Sequence, residues 1–334
     1  MICRLEICIF SLCFTRKATM IYLAPLQGFT DFVFRRVYAE TFEGVDRFFI
    51  PYIAVQGSDI LRKYEREVLP ANNDPNKAIP QILVKDEQET AFLLSRLADY
   101  GYTEVNLNLG CPYPMVTNRG RGAALLENPA ALEKILNTAC SRFALKLSVK
   151  LRVGVHNTGP LQHIVPVLNA FPLSEVILHP RTAKQLYKGG LSDEAFDFVA
   201  KHLQHSLVFN GDVFSTDDFK QRSKQFPTVT NWMLGRGILM NAFLPAQIKG
   251  SCFTEEEQRS KLRQFHDRVW EIYLQNADNP GNALNKQKQF WQYFSFHFLQ
   301  QRRVFKSIKK LKSADGLASL AARIIQTEPL NGNV

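Results

Sequence analysis

The residue best placed to do chemistry in this sequence is Cys111, which follows a strand-like run and opens a loop rich in glycine and proline. A thiol with an ordinary pKa stays protonated at neutral pH and can act as an acid, whereas a nucleophilic thiolate needs a nearby cation. Gly110 and Pro112 fix the backbone around the thiol, and we expect no bulky apolar shielding there. For Cys140 and Cys252 we expect inert packing.

Polar or conformationally special residues also stand at the ends of most strand-like runs. They are Pro25, Gln81, Asn108, Lys150, His179, Asn210 and Gly235. The runs themselves are residues 21–24, 47–51, 79–84, 104–108, 145–151, 175–179, 207–210 and 231–234. Helical patterns fall between them at 31–40, 87–100, 129–141, 161–170, 193–202 and 216–225.

Eight strands, most of them followed by a helix, predict an α/β fold built on an eight-stranded β/α (TIM) barrel. Several runs are apolar almost throughout, as strands buried on both faces should be. The first strand is not followed by a Gly-x-Gly-x-x-Gly motif, which argues against a dinucleotide-binding domain. In a barrel the strand ends converge on one catalytic rim, so the polar residues above are expected to meet.

Two glycine-containing loops indicate a phosphate site. Asn210-Gly211-Asp212 and Gly235-Arg236-Gly237 follow the seventh and eighth strands, where barrel enzymes often hold phosphate. Glycine permits close backbone approach, and Arg236 offers a bidentate cation. Either loop alone could be an ordinary turn.

The C-terminal segment carries most of the net charge. Residues 280–334 hold nine Lys/Arg and two acids, which is +7 of the total +10. A helical pattern there places five cations on one side, opposite apolar residues. These cations are Arg302, Arg303, Lys306, Lys309 and Lys310. We predict a small all-α C-terminal domain with an RNA-facing stripe, and core packing for most of the aromatics at 290–298.

Residues 106–126 resemble the signature of the tRNA-dihydrouridine synthases, whose catalytic cysteine lies in an Asn-x-Gly-Cys-Pro loop. Further segments also resemble the family and occur in the family's order. They are residues 24–28, 80–83, 150–154, 179–182, 210–212 and 235–237. The resemblance implies reduction of the C5=C6 bond of tRNA uridines to dihydrouridine. Hydride would come from reduced FMN, which NADPH regenerates, and the proton from Cys111.

The resemblance also implies roles for individual residues. Pro25, Leu26 and Gln27 match positions that contact the flavin in this family. Gln81 and Lys150 match residues that hydrogen-bond the flavin ring. His179, Asn210, Gly211, Asp212, Gly235 and Arg236 complete the expected cofactor site. Substrate contacts are expected from Asn108, Arg152 and Arg181, besides the cationic stripe. For Arg181, flavin phosphate, RNA and a loop acid all remain open, and Asn108 could instead cap its own loop.

We therefore predict three segments: residues 1–19 as an extension outside the fold, 20–250 as the FMN-binding barrel, and 251–334 as the tRNA-binding helical domain. The extension could reflect a misassigned start. We expect a cytoplasmic monomer without a metal site or membrane span, because no metal-binding cysteine pattern or long apolar run occurs. The alternatives are a dihydroorotate dehydrogenase-like FMN enzyme acting on a small molecule and a non-catalytic tRNA-binding chaperone.

Overall fold

The computed structural model describes residues 19–332, so the predicted extension lies almost wholly outside the described residues. Eight parallel strands close into a barrel. They are β1 Met20–Leu23, β2 Arg47–Ile53, β3 Ala78–Ile82, β4 Glu104–Leu109, β5 Lys146–Arg152, β6 Glu175–His179, β7 Leu207–Asn210 and β8 Asn231–Leu234. Around the barrel they are hydrogen-bonded in the order β1-β8-β7-β6-β5-β4-β3-β2. The predicted barrel is confirmed, and three strands have the predicted bounds.

Helices surround the barrel and continue beyond it. Within residues 19–332 they are α1 Phe32–Thr41, α2 Arg62–Val68, α3 Glu87–Asp99, α4 Pro114–Thr117, α5 Pro129–Arg142, α6 Leu161–Asn169, α7 Asp193–His202, α8 Thr216–Gln225, α9 Arg236–Met240, α10 Leu244–Ile248, α11 Glu255–Asn276, α12 Pro280–Phe294, α13 Gln301–Lys309 and α14 Asp315–Thr327. Three short 3-10 turns and one hairpin, Val55–Gln56 with Asp59–Ile60, complete the described chain. Local sequence sets these starts: Asn128 caps α5 by accepting a hydrogen bond from the Ala131 N–H.

Side-chain alternation divides the barrel interior into two levels. The lower level is apolar and contains Tyr22, Ala24, Phe49, Ile79, Ile177, Val208 and Met233. Two residues further along three of these strands, on the same face, stand Gln81, His179 and Asn210. The barrel therefore fills its base with hydrocarbon and presents polar groups at the carboxyl ends of its strands.

The C-terminal helices form the small all-α region that the helical pattern of the sequence predicted. Its core contains Phe290, Trp291, Phe294 and Phe298, all buried, as predicted for most of these aromatics. On α13, Val304 and Ile308 are buried. The predicted cationic stripe, Arg302, Arg303, Lys306, Lys309 and Lys310, is exposed.

An ion pair joins this helical region to the loop that follows β1. Asp31 caps α1 and lies 2.9 Å from the Lys286 ammonium of α12. The same ammonium donates to the Gly28 carbonyl at 2.7 Å, and the Tyr273 hydroxyl of α11 donates to Asp31. The first barrel loop is thus held by two C-terminal helices.

A buried histidine makes a second connection between the two regions. His297 accepts a hydrogen bond from the Ala242 N–H at Nε2 (3.0 Å), and its Nδ1 lies 2.9 Å from the Phe294 carbonyl. The second contact requires Nδ1 to carry the proton, so the ring is neutral. Burial lowers the pKa of His297 to about 4.

We predict that His297→Gln flattens the pH dependence of stability in acid. The folded protein binds this proton less readily than the unfolded chain, so stability present above about pH 6.5 is lost as the pH falls toward 4. Urea unfolding between these values should show a slope shallower by up to about 1.4 kcal/mol per pH unit. The exposed His163→Gln serves as the control, and equal slopes for wild type and His297→Gln would contradict the prediction.

Candidate active site

The loops at the carboxyl ends of the strands enclose a cleft of about 350 Å³. Fourteen residues predicted from the sequence line it: Pro25, Leu26, Gln27, Gln81, Asn108, Cys111, Lys150, Arg152, His179, Asn210, Gly211, Asp212, Gly235 and Arg236. The volume is within the range of roughly 300–1,000 Å³ typical of cofactor sites. Arg181 and the cationic stripe of α13 lie outside this lining.

A chain of hydrogen-bonded amides crosses the floor of the cleft. The Asn108 Nδ2 donates to Gln81 Oε1 (2.6 Å), and Gln81 Nε2 donates to Asn106 Oδ1 (2.7 Å). Asn106 in turn donates to the Ser148 hydroxyl at 2.9 Å. Each bond fixes which end of an amide is the donor, so Gln81 keeps one N–H and one acceptor lone pair for a ligand.

Asn108 also fixes the cysteine loop. Its Oδ1 accepts from the backbone N–H groups of Gly110 (2.9 Å) and Cys111 (2.8 Å). This is the loop-capping role that the sequence left open for Asn108. Because Oδ1 already accepts two hydrogen bonds, Asn108 can offer a ligand one N–H but no acceptor.

The thiol of Cys111 is more enclosed than the sequence suggested. Only 6% of the residue is exposed, and it packs with Leu83 and Val116, so the expectation of no apolar shielding is wrong. The backbone of Gly122, at φ +62°, packs closely against Cys111. Glycine is needed there because a Cβ at residue 122 would lie only 2.9 Å from the Cys111 Cβ. Burial raises the pKa of the Cys111 thiol, which therefore stays protonated at neutral pH.

Two cations lie near this thiol. Burial, with the nearby charge of Arg152, lowers the pKa of Lys150 to about 7. Arg152 is held by the carbonyls of Gly110 (3.1 Å) and Thr182 (2.8 Å). Burial and these cations lower the pKa of His179 well below its ordinary value, so its imidazole is neutral.

Asp212 joins the two glycine-containing loops. Its carboxylate accepts from Arg181 at 2.8 and 2.6 Å and from Arg236 at 2.7 Å. These arginines hold the pKa of Asp212 below its usual range despite burial. Of the three contacts left open for Arg181, the structure shows the loop acid. Arg236 keeps donors free toward the cleft because Asp212 occupies only one of its nitrogens.

Four tyrosines that sequence reasoning did not select also line the cleft: Tyr52, Tyr113, Tyr187 and Tyr293. The Arg236 guanidinium lies 4.5 Å from the ring centre of Tyr187. Tyr293 comes from α12 and packs edge-on against Phe29 at 4.9 Å. A C-terminal helix therefore forms part of the cleft wall. The position of Tyr113 in the cysteine loop was the one usable signal.

Within residues 19–332, no group of three or more His, Cys, Asp or Glu side chains could hold a metal ion. None of the helices in that range is both long and apolar enough to span a membrane.

The sequence of this chain is similar to one protein family and to several named relatives. The family model described as dihydrouridine synthase matches residues 22–322. A tRNA-dihydrouridine(16) synthase of Ralstonia nicotianae is 28% identical over 260 residues, covering 75% of this chain and 76% of the relative. The tRNA-dihydrouridine(16) synthase of Neisseria meningitidis serogroup B is 24% identical over 318 residues, covering 92% and 95%.

Solved structures are similar in fold. Morphinone reductase superposes with a TM-score of 0.50 at 10% identity, covering 70% of this chain and 87% of that one. At this identity the likeness shows a shared barrel fold and nothing about the ligand.

We predict that Lys150→Met stabilises the protein without ligand by on the order of 1–3 kcal/mol at pH 7, because it removes a desolvated charge. The lysine binds fewer protons folded than unfolded, so wild-type stability rises with pH above 7. The advantage of the variant should then shrink toward about pH 10. Denaturant unfolding at the two pH values measures this. The control is Lys146→Met, at an exposed position on the same strand. No gain in stability at pH 7 for Lys150→Met would contradict the prediction.

Proposed function

This chain belongs to the dihydrouridine synthase family, and we propose that it uses FMN to reduce specific uridines of tRNA to dihydrouridine, with Cys111 as the proton donor. It is an enzyme of the tRNA-dihydrouridine synthase type. One observation carries the proposed chemistry. A thiol kept protonated by burial lines the same cleft as Lys150 and the amide chain of Gln81.

The chemistry of the cleft lining fits FMN. Three cations, Lys150, Arg152 and Arg236, line the cleft with the single carboxylate of Asp212, which favours an anionic ligand. Within residues 19–332, Lys150 has no carboxylate partner, so a bound anion would supply its counter-charge. Gln81 has one donor and one acceptor free, as the carbonyl and N–H edge of a flavin ring requires.

We assign each part of the cleft to a part of the cofactor. Pro25, Leu26 and Gln27 would contact the ring, Gln81 and Lys150 would hydrogen-bond it, and His179 would lie beside it as a neutral donor. Phosphate would be held by the loops of Asn210, Gly211, Asp212, Gly235 and Arg236. The Asp212 carboxylate orients Arg236. Asp212 itself would therefore contribute to phosphate binding through its backbone.

When bound and reduced, FMN would supply a hydride to C6 of the uracil. Cys111 would give its proton to C5, so the S–H bond breaks, a C–H bond forms and the electron pair remains on sulfur. Asn108 would donate its free N–H to a uracil carbonyl, and Arg152 would stabilise negative charge on the base. We propose NADPH as the reductant of the flavin and a cytoplasmic monomer as the working form.

The substrate proposal rests on the named relatives and on charge. Because both relatives described above act on position 16, we propose uridine 16 as the target. Reaching a base in folded tRNA requires it to leave its stack. We propose that residues 20–250 bind FMN and that residues 251–334 bind tRNA. The stripe on α13 would contact phosphates, and buried Arg181 would support the cleft behind Asp212.

We predict that Cys111→Ala retains bound flavin but loses at least about 100-fold in dihydrouridine formation, the usual range for loss of a general acid. Visible absorbance measures the cofactor, and chemical mapping of position 16 in unmodified tRNA measures the product. The control is Cys252→Ala, which removes a thiol that the structure leaves exposed, contrary to the packing expected for it from the sequence.

Other outcomes identify the alternatives. Undiminished turnover by Cys111→Ala would remove the assignment of the proton donor. A colourless wild-type protein that still binds tRNA would indicate a chaperone. Bound flavin without salt-sensitive tRNA binding would indicate a small-molecule enzyme.

We predict that Arg302→Glu with Lys306→Glu weakens tRNA binding by about tenfold or more and reduces its salt dependence, because phosphate contacts release counterions. Both side chains are exposed, and neither has an acid partner within residues 19–332, whereas Arg303 pairs with Glu328. Filter binding at several salt concentrations measures the effect. The control, Lys134→Glu with Lys201→Glu, makes the same charge change on barrel helices. Equal affinity of the two double variants for tRNA would show that the stripe does not bind tRNA.

A further inference from the structure

Large apolar side chains are exposed at the mouth of the cleft. Six side chains of this kind are exposed within residues 19–332, and four of them stand in two loops: Tyr113, Met115, Leu186 and Tyr187. The first two belong to the cysteine loop, residues 110–121, and the other two to the β6 loop, residues 180–190. Tyr113 is 49% exposed and Met115 is 76% exposed. Apolar groups concentrated at one place on a protein surface indicate that a partner binds there.

Hydrogen bonds from one arginine hold the two loops side by side. Buried Arg152, the last residue of β5, donates to the Gly110 carbonyl of the cysteine loop (3.1 Å) and to the Thr182 carbonyl of the β6 loop (2.8 Å). Leu186 has a φ of +52°, a left-handed conformation that is strained for leucine and is retained mainly at functional sites. The exposed side chains are therefore carried on a fixed backbone, and a partner would not have to order the loops.

The two loops carry positive charge and no acid. Together they contain five Lys/Arg and neither Asp nor Glu. Residues outside the loops neutralise two of these cations, since Arg121 pairs with Glu89 of α3 and Arg181 pairs with Asp212. The other three are exposed and form no ion pair within residues 19–332; they are Arg119, Lys184 and Lys188. Exposed apolar side chains and unpaired cations in the same loops match an anionic partner that has flat apolar faces.

RNA has this chemistry where its bases are unpaired. We infer that Tyr113, Met115 and Leu186, here called the rim platform, pack on unpaired bases that flank the target uridine, while the three unpaired cations contact the adjoining phosphates. The inference rests on the proposed function, because a uridine that leaves its stack uncovers the faces of its neighbours. Tyr187 is not part of the rim platform, since its ring lines the cleft with Arg236 4.5 Å from its centre.

The side-chain types of the rim platform suit this contact. An aromatic ring stacks on any base, and a thioether is polarisable and adapts to faces of different shape. Contacts of this kind do not read the base sequence. They select unpaired RNA over a duplex, in which the base faces are covered. The substrate class is therefore a uridine in a single-stranded loop with unpaired neighbours.

The test is Tyr113→Ala with Met115→Ala, which removes two side chains of the rim platform and leaves all five cations in place. Unmodified tRNA carries 2-aminopurine, an adenine analogue whose fluorescence is quenched by stacking, at either position that flanks the target uridine. In complexes formed without NADPH, so that no turnover occurs, we expect about tenfold weaker binding with an unchanged salt slope. We also expect brighter fluorescence at saturating protein, because the flanking base is no longer stacked.

Two further variants separate the contributions. Leu274→Ala with Leu299→Ala removes two exposed apolar side chains outside both loops and should leave binding and fluorescence unchanged. Arg119→Gln with Lys188→Gln should instead flatten the salt dependence of binding, because it removes phosphate contacts.

Equal binding and fluorescence for the Tyr113/Met115 and Leu274/Leu299 double variants would overturn the role of the rim platform. Weaker binding without brighter fluorescence would overturn the stacking of bases on it. Slower bleaching of the flavin by NADPH, with tRNA binding intact, would assign the platform to the dinucleotide instead. If the wild type makes no dihydrouridine, the proposed function fails, while the fluorescence of the tRNA complex still decides whether the platform binds unpaired bases.

Discussion

The structure depends on the alternation of side chains along parallel strands that close into a ring. In each strand, residues two apart point to the same side, so one inward column must serve both as core and as site. Ile79 precedes Gln81 and Ile177 precedes His179 in this way. The apolar member fills the base of the barrel and the polar member reaches the cleft. A register shift of one residue would exchange the inward and outward sets and remove both core and site.

The same closure explains the electrostatics of the cleft. Polar groups on adjacent strands are brought together on a hydrocarbon floor, where desolvation raises the pKa of Cys111 and lowers that of Lys150. The thiol stays neutral, so its burial costs the protein little. The buried Lys150, which lacks a carboxylate partner within residues 19–332, destabilises the protein without ligand and suits the anionic cofactor proposed above. The ion pairs of Asp212 show the other solution, in which the protein itself supplies the counter-charge.

Much of this could be predicted from the sequence because strands and their ends are encoded locally. Apolar runs with Gln81, Lys150 or Asn210 in their second half or at their end indicate both a strand and the direction of its site, and fourteen of the selected residues do line the cleft. Contacts between distant segments are not encoded in this way. Tyr293 reaches the cleft through the packing of α12. The enclosure of Cys111 depends on Leu83, which follows the neighbouring strand β3, and on Gly122. The burial of Tyr293 and Cys111, and therefore their pKa shifts, could not be predicted before the fold was known.

The Asp31–Lys286 pair has a consequence for how such a protein can change over time. Its lysine belongs to the helix that also supplies Tyr293, while its aspartate starts the first barrel helix beside the loop of Pro25 and Gln27. The two regions therefore share a boundary that is also an active-site wall. Replacing the C-terminal helices with those of a distant relative would alter the cleft along with the cationic stripe proposed to bind tRNA. The proposed tRNA-binding surface and the proposed active site are therefore inherited together.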